Sequence, residues 1–263
     1  MVVAMQTNPM PVGGHLRQWR ERRRMSQLDL AYSAEISPRH LSFVETGRSK
    51  PSREMILHLA EQLEVPVRER NVLLVAGGFA PVFQERSLVD PALAAAKAAV
   101  DVVLASHKPY PAFALDRHWN VVASNAALPR LYEGCAESQL AAPLNVLRLS
   151  LHPNGLAPRI ENLAEWRAHL LHRLRRQIDL TADRGLVDLE KELLAYPAPR
   201  EGGGTGDGIV VPLRIRVGPD VLSFFSTTMV FGTPLDVTLS ELAIESFFPA
   251  DDATIAIVGR LSE

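Results

Sequence analysis

The sequence predicts two domains: a small all-α bundle at the N-terminus, and behind it an α+β domain built around one antiparallel sheet. Three observations predict this. Apolar residues recur at helical spacing from Gly14 to Val75. From Ile209 to Val217 apolar and polar residues alternate instead, the period of a strand with one buried face. A length of 263 residues, 47% of them hydrophobic, suits two domains of ordinary size, each with its own core. The expected boundaries are 14–78 and 90–263.

The first helix is expected from about His15 to Arg24. Ser26 caps the second, with Asp29 three residues on as a variant capping box, and that helix ends near Ala34. Ser37-Pro38 is a strong start signal, because serine accepts from an orphan N–H and proline lacks the N–H that would be wasted there. The third helix runs to about Glu45 and stops at Gly47. Pro51-Ser52 opens a fourth, whose Met55, Ile56, Leu59 and Leu63 form an apolar stripe, and Val65-Pro66 breaks it. A fifth runs to Val75 and ends at Gly77-Gly78.

Residues 79–89 read as a connector. Asp90-Pro91 starts an alanine-rich helix to about Ser106. Ala112–Leu115 and Trp119–Ser124 read as a hairpin turning at Asp116-Arg117-His118. Residues 126–196 return to helix, with loops at Pro143, His152–Pro158 and Thr181. Five glycines in Glu201–Gly208 mark a flexible loop; no Gly-Lys-Ser/Thr follows them, so they are not a phosphate loop. Three strands should follow: Ile209–Val217, Val221–Phe231 and Leu239–Phe248. The first turns Ile209, Val211, Leu213, Ile215 and Val217 inward and Arg214 and Arg216 outward. The last places Leu242, Ile244 and Phe248 on one face and Glu241 and Glu245 on the other. Thr238-Leu239-Ser240-Glu241 mimics a capping box, but the alternation behind it favours strand. A short helix ends the chain.

The net charge of −2 excludes a wholly basic nucleic-acid coat, yet the charge is uneven. Residues 14–70 hold 11 of the 28 Lys/Arg and 8 of the 30 Asp/Glu, so the head is basic and the body acidic. That is the pattern expected where one part of a chain meets phosphate. The single Cys135 excludes an intramolecular disulfide and fits a cytoplasmic location. His169 and His172 share a helix face, but no third ligand stands at metal spacing, so no metal is expected. No run reaches the length of a membrane span, and Met1–Gly14 lacks the charged start and apolar core of a signal peptide. No Ser/His/Asp or Cys/His order points to catalysis, so no enzyme is expected.

The most informative stretch runs from Met25 to Ser52. Two short helices meet there at a tight turn, Glu35-Ile36-Ser37, the layout of a helix-turn-helix, whose second helix lies in the major groove of DNA. On that second helix Arg39, Ser42, Phe43 and Thr46 share one face, while Leu41 and Val44 point the other way. Arginine can bond guanine with two hydrogen bonds, and a phenyl ring can pack on a thymine methyl. Ser37 and His40 belong to the same first turn, and Gln27, Thr46, Arg48 and Lys50 would flank the groove and meet phosphate. The alternative is a small helical bundle that binds protein.

Ser26-Gln27, Leu30-Ala31, Ile36-Ser37, Glu45-Thr46-Gly47-Arg48, Pro51-Ser52 and Leu59-Ala60 together resemble the XRE-type, phage-repressor-like helix-turn-helix family over about residues 14–76. The resemblance implies a pairing of Arg20 with Glu45. Pro38 departs from it, standing where such repressors often place a base-reading side chain. The longer strings Arg39–Arg48, Pro51–Met55 and Arg68–Asn71 resemble the regulators with an MmyB-like ligand-binding domain. So do Pro109–Ala112, Asp116–Val121, Ser124-Asn125, His152-Pro153 and Glu245–Asp251. This resemblance covers nearly the whole chain and implies a PAS-like fold whose apolar pocket holds a fatty acid or similar lipid as effector, with no other cofactor.

Candidate ligand residues each carry a second reading. Trp119 and Asn125 flank the second strand, as pocket lining or as a packed ring and a turn cap. Phe224, Phe225 and Phe231 are core or ligand contacts. Arg148 or Arg117 could meet a carboxylate, or stand on the surface. Cys135 is an inert thiol or a redox switch. The whole reads as a ligand-responsive regulator binding a double-stranded operator as a homodimer. The alternatives are an antitoxin-like protein that masks a partner protein, and an enzyme fused to a DNA anchor.

Overall fold

A computed structural model describes residues 10–197, 210–232, 234 and 236–262. The glycine run at Glu201–Gly208 and the inward Ile209 lie outside the described residues. The chain divides into two compact units, one built mainly of residues up to Glu85 and the other mainly of residues from Arg86 on.

The N-terminal unit is all helical: α1 (Val12–Arg22), α2 (Gln27–Ser33), α3 (Pro38–Glu45), α4 (Arg53–Gln62) and α5 (Val67–Ala76). The starts of α2, α3 and α4 are the capped ones that the sequence predicts. Ser26 and Asp29 form a complete capping box. Ser37 accepts from the His40 N–H at 3.1 Å and Ser52 from the Met55 N–H at 3.2 Å. α1 starts three residues earlier than its apolar spacing suggested, at Val12, because it runs directly onto the end of α3. A Cβ at Gly13 would stand 2.1 Å from the Val44 carbonyl oxygen, so only glycine allows this approach. Leu16, Trp19, Leu30, Leu41, Val44, Ile56, Leu59, Leu63, Leu73 and Leu74 fill the interior. Each such side chain contributes about 1.5–3 kcal/mol by leaving water. The connector is fastened to α5: Asn71 Oδ1 accepts from the Val82 and Phe83 N–H groups, and its amide donates to the Phe83 carbonyl.

The C-terminal unit is α+β. After a short 3-10 turn at Pro91–Leu93 come α6 (Ala94–Ser106), β1 (Ala112–Leu115) and β2 (Val121–Ser124). A helical stretch follows, α7 (Leu128–Leu131), α8 (Glu137–Leu140), α9 (Val146–Leu151), α10 (Leu163–Thr181) and α11 (Arg184–Ala195). Then come β3 (Leu213–Val217), β4 (Asp220–Val230), α12 (Val237–Ser240), β5 (Ala243–Pro249) and α13 (Asp252–Ser262). The five strands form one antiparallel sheet in the order β2-β1-β5-β4-β3, so the last strand in sequence is the central one.

The register decides which residues share a face. Leu213 lies opposite Phe224, Phe224 opposite Pro249, and Phe113 opposite Glu245. Phe113, Leu115, Leu213, Ile215, Leu222, Phe224 and Phe247 therefore form one apolar face, in a single cluster with Leu147, Leu151, Trp166, Leu170, Leu174, Leu186 and Leu189 of α9, α10 and α11. Ile244 lies opposite Ala114 and Met229, on the other face. There Ala112, Ala114 and Ile244, with Leu242 just before β5, cluster with Val100 and Leu104 of α6. The sheet thus has two apolar faces: Leu213 and Ile244 point opposite ways, and the sheet is covered on both sides.

Two boundaries also differ from expectation. Trp119 belongs to the turn and not the strand, with φ +67°, and Asp116 Oδ1 ties that turn by accepting from the His118 and Asn120 N–H groups at 2.8 and 2.9 Å. Residues 237–240 form α12 and not the start of a strand; Glu241 lies outside β5. Arg214 and Arg216 are exposed, as expected.

Candidate functional site

In the N-terminal unit Arg20 on α1 and Glu45 at the end of α3 make a buried two-pronged pair. Arg20 Nε donates to Glu45 Oε1 at 2.7 Å and Nη2 to Oε2 at 2.9 Å. A third Arg20 nitrogen, Nη1, donates to the Met25 carbonyl at 2.9 Å, and the Gln27 amide donates to Glu45 Oε2 at 2.8 Å. The hydrogen bonds to Glu45 raise the Arg20 pKa. One carboxylate therefore fixes α1, the start of α2 and the end of α3 against one another.

The turn that aims α3 bends at Glu35, φ +51°, where the Ile36 N–H donates back to the Ala31 carbonyl at 2.9 Å. α3 buries Leu41 and Val44 and leaves Arg39 exposed and Ser42 and Phe43 half-buried, as its periodicity predicts. Arg39 and Arg48 both stand over the Phe43 ring, at 5.4 and 5.9 Å from its centroid. Arg48 reaches it because Gly47, at φ +75°, turns the chain back, and the Ser49 N–H donates to the Phe43 carbonyl at 3.0 Å. Thr46 spends its hydroxyl on the Ser42 carbonyl at 2.7 Å, and Ser37 spends its own on the cap. His40 is half-buried and Lys50 exposed. The arrangement offers an exposed cationic face whose two arginines share one aromatic platform, a geometry suited to phosphate and to base edges. The spacing showed Arg39 and Phe43 together; Arg48 joins them only through the Gly47 turn.

The C-terminal unit does not bring Trp119, Asn125, Arg148, Phe224 and Phe231 together. Phe224 is 1% exposed on the face that packs against α9 to α11, while Phe231 packs on the opposite side with α6, so the two cannot line one pocket. Asn125 is a clamp: its Oδ1 accepts from the Ala112 and Ala127 N–H groups, and its amide donates to the Leu104 and Tyr110 carbonyls. Arg148 is held by Glu192, Nη2 to Oε2 at 2.7 Å and Nε to Oε1 at 2.8 Å. That carboxylate also accepts from the Tyr196 hydroxyl, and burial followed by this bond pushes the Tyr196 pKa up to about 12. Trp119 is buried and donates to Gln177 Oε1 at 2.7 Å.

A polar cluster under the sheet escaped the sequence reading. Glu245 on β5 receives both terminal nitrogens of Arg173, each at 2.8 Å, with the Ser226 and Thr228 hydroxyls of β4 donating to the same carboxylate. Arg173 also stands 5.0 Å from the Trp119 ring centroid. Burial alone would raise the Glu245 pKa, but the Arg173 charge and the donated hydrogen bonds outweigh it and hold the carboxyl below its ordinary range. The only signal in the sequence was a Glu on the face of β5 opposite Ile244, which reads equally well as solvent-facing.

An apolar cleft of about 30 Å³ opens among Pro109, Pro111, Leu131, Leu222, Phe224 and Val258, roughly the room for one water molecule. Among the described residues no three His, Cys, Asp or Glu side chains are placed to hold a metal ion, and no helix is long and apolar enough to cross a membrane.

Residues 11–73 match the family model of a helix-turn-helix domain. Residues 96–261, more than half of the chain, match that of the MmyB-like transcription regulator ligand binding domain. No curated protein matches the chain. The capped α2–turn–α3 arrangement and the helix-covered antiparallel sheet agree in place and kind with these two matches, and the chain belongs to the MmyB-like transcription regulators, with a DNA-binding helix-turn-helix domain ahead of a ligand-sensing domain.

Proposed function

We propose that the protein acts in the cytoplasm as a homodimer that reads a two-fold operator with α3 and adjusts its DNA affinity to a fatty acid or similar apolar ligand held in a PAS-like C-terminal unit. The carrying observation is the exposed face of α3, where Arg39 and Arg48 flank Phe43 above a rigid Arg20–Glu45 support. Arg39 reads a base edge, with Ser42 and Phe43 beside it. Ser37, His40 and Gln27 meet the backbone at the helix starts, and Thr46, Arg48 and Lys50 meet it beyond the end of α3. One such head covers a single half-site; a two-fold partner one helical turn away supplies the remaining affinity. A PAS-like reading is supported by the single five-stranded sheet with helices gathered on it. The ligand acts only through its different affinities for the DNA-competent and DNA-incompetent arrangements. The protein works by binding and not by catalysis.

Selection of duplexes from a random pool by the full-length chain tests the DNA reading. A palindromic consensus with half-sites about one turn apart is the expected result. Enrichment of no sequence overturns operator reading, and a single unrepeated half-site overturns the dimer. Mass spectrometry of an organic extract of the purified protein tests the ligand: a co-purifying acyl compound supports it, whereas a stoichiometric second polypeptide favours the partner-masking alternative.

A further inference from the structure

Trp166 stands on α10 within the main apolar cluster of the C-terminal unit, 3% exposed, and among the described residues its indole N–H has no acceptor. Trp119 in the same cluster shows how such a group is normally satisfied, by its bond to Gln177. The polar groups near Trp166 in sequence are committed elsewhere. Asn162 Oδ1 accepts from the Arg214 N–H and Glu165 Oε2 from the Asn162 amide, while Arg167 and Arg173 are donors only, engaged with the Leu194 and Tyr196 carbonyls and with Glu245. The His169 ring stacks on Trp166, centroids 5.4 Å apart and planes 24° from parallel. Burial, with the nearby Arg173 charge, holds His169 below the usual imidazole range, so it offers a neutral ring beside the indole.

An unmet buried donor costs the full desolvation of its polar group. A donor left unmet at such a cost is understood if something outside the chain completes it. What completes it must carry an acceptor oxygen, and what surrounds it must tolerate Leu170, Leu171 and Leu174.

We infer that the Trp166 indole N–H anchors the polar end of the ligand, an sp2 oxygen of a carboxylate or ester at one end of an apolar chain. This deepens the apolar-ligand reading above and rests on it.

Trp166→Phe keeps the ring and removes the donor. Ligand-stripped wild type and variant are titrated with decanoic acid, methyl decanoate and decane, and both are melted without ligand. The expected result is a folded variant, melting somewhat lower because phenyl is smaller than indole, that binds decane unchanged and the acid about tenfold more weakly, the loss of one hydrogen bond to a site group. Equal loss for the methyl ester assigns the contact to the carbonyl oxygen; loss for the acid alone assigns it to the carboxylate. Unchanged affinity for both acid and ester overturns the inference, as does an equal loss for decane, which would mark lost packing. If wild type binds none of the three, the apolar-ligand reading falls and this inference with it. Should the variant not fold, the indole 15N–1H resonance of Trp166 in the wild type decides: decanoic acid should move it downfield and decane should not.

Discussion

Arg20 and Glu45 are 25 residues apart in sequence and meet through two parallel hydrogen bonds of 2.7 and 2.9 Å, with the Glu45 side chain 1% exposed. A pair so deep is costly to bury and costlier to break, because removing one partner strands the other charge away from water. Glu45→Ala should therefore destabilise the N-terminal unit by about 3–5 kcal/mol. Urea denaturation followed by circular dichroism checks this. The exposed Arg17–Glu21 pair on the same helix is the control: Arg17→Ala should leave the midpoint essentially unmoved. An unchanged midpoint for Glu45→Ala would refute a supporting role for the pair.

Much of the N-terminal unit was legible because its signals are local. Ser26, Ser37 and Ser52 each announce a helix start within three residues, and each makes the predicted bond. In the C-terminal unit strand existence was legible and face assignment was not. A period of two says that Leu213 and Ile244 are each buried, but not whether they are buried on the same side; that depends on β5 lying between β1 and β4, which no local pattern encodes. The ligand candidates failed to converge for the same reason. Glu245 was hidden because a carboxylate beneath a sheet makes sense only once Arg173 is known to lie over it.

The two arginines and the lysine of the head separate reading from holding. Arg39 sits in the first turn of α3, Lys50 beyond its end. Arg39→Ala should cost about 1–3 kcal/mol on the selected operator and relax preference at one base position. Lys50→Ala should weaken operator and scrambled duplex alike and flatten the plot of log affinity against log salt by about one unit. Titrations of both variants on both duplexes at several salt concentrations measure this. An unchanged specificity ratio for Arg39→Ala would mean that the reading face lies elsewhere.

Glu245 gives the C-terminal unit a pH dependence of definite sign. Its folded pKa lies below the ordinary carboxylate value, so its stabilisation is complete above the unfolded pKa of about 4.3. It fades as pH falls from there and is gone below the depressed folded value. Glu245→Gln should lower stability at pH 7 by about 2 kcal/mol, leaving Arg173 without its counter-charge, and should lose less than wild type on acidification. Denaturation midpoints of both proteins from pH 7 to pH 3 read out the difference. Parallel curves would mean that Glu245 does not carry the acid sensitivity.

Asn125 and Arg148 should behave as structure and not as ligand contacts. Asn125→Ala removes four hydrogen bonds to buried backbone and should cost about 3 kcal/mol. Arg148 and Glu192 are both partly exposed, so Arg148→Ala should cost less than about 1 kcal/mol. Neither should change affinity for a fatty acid by more than about twofold once variants are compared under conditions where both are folded. A large loss of fatty-acid affinity in stable Arg148→Ala would restore that arginine as the carboxylate's partner.

Chain length is the sharpest test of what the C-terminal unit senses. Each methylene removed from water contributes about 0.8 kcal/mol, close to a fourfold gain in affinity. A fatty-acid site should therefore show affinity climbing regularly with chain length, then falling once the chain no longer fits. The cleft at Pro109, Pro111, Phe224 and Val258 has room for about 30 Å³, far less than an acyl chain needs. That cleft, as it stands, does not hold an acyl chain. A ligand shifts an equilibrium only between arrangements it distinguishes, so operator affinity should follow the same ladder if the ligand is the effector. Titration of lipid-stripped protein with fatty acids of graded length, with operator affinity followed in parallel, measures both. A flat response across lengths would reject a lipid effector in favour of a polar one or a protein partner. A clear ladder with operator affinity unmoved would keep the site and remove its regulatory role.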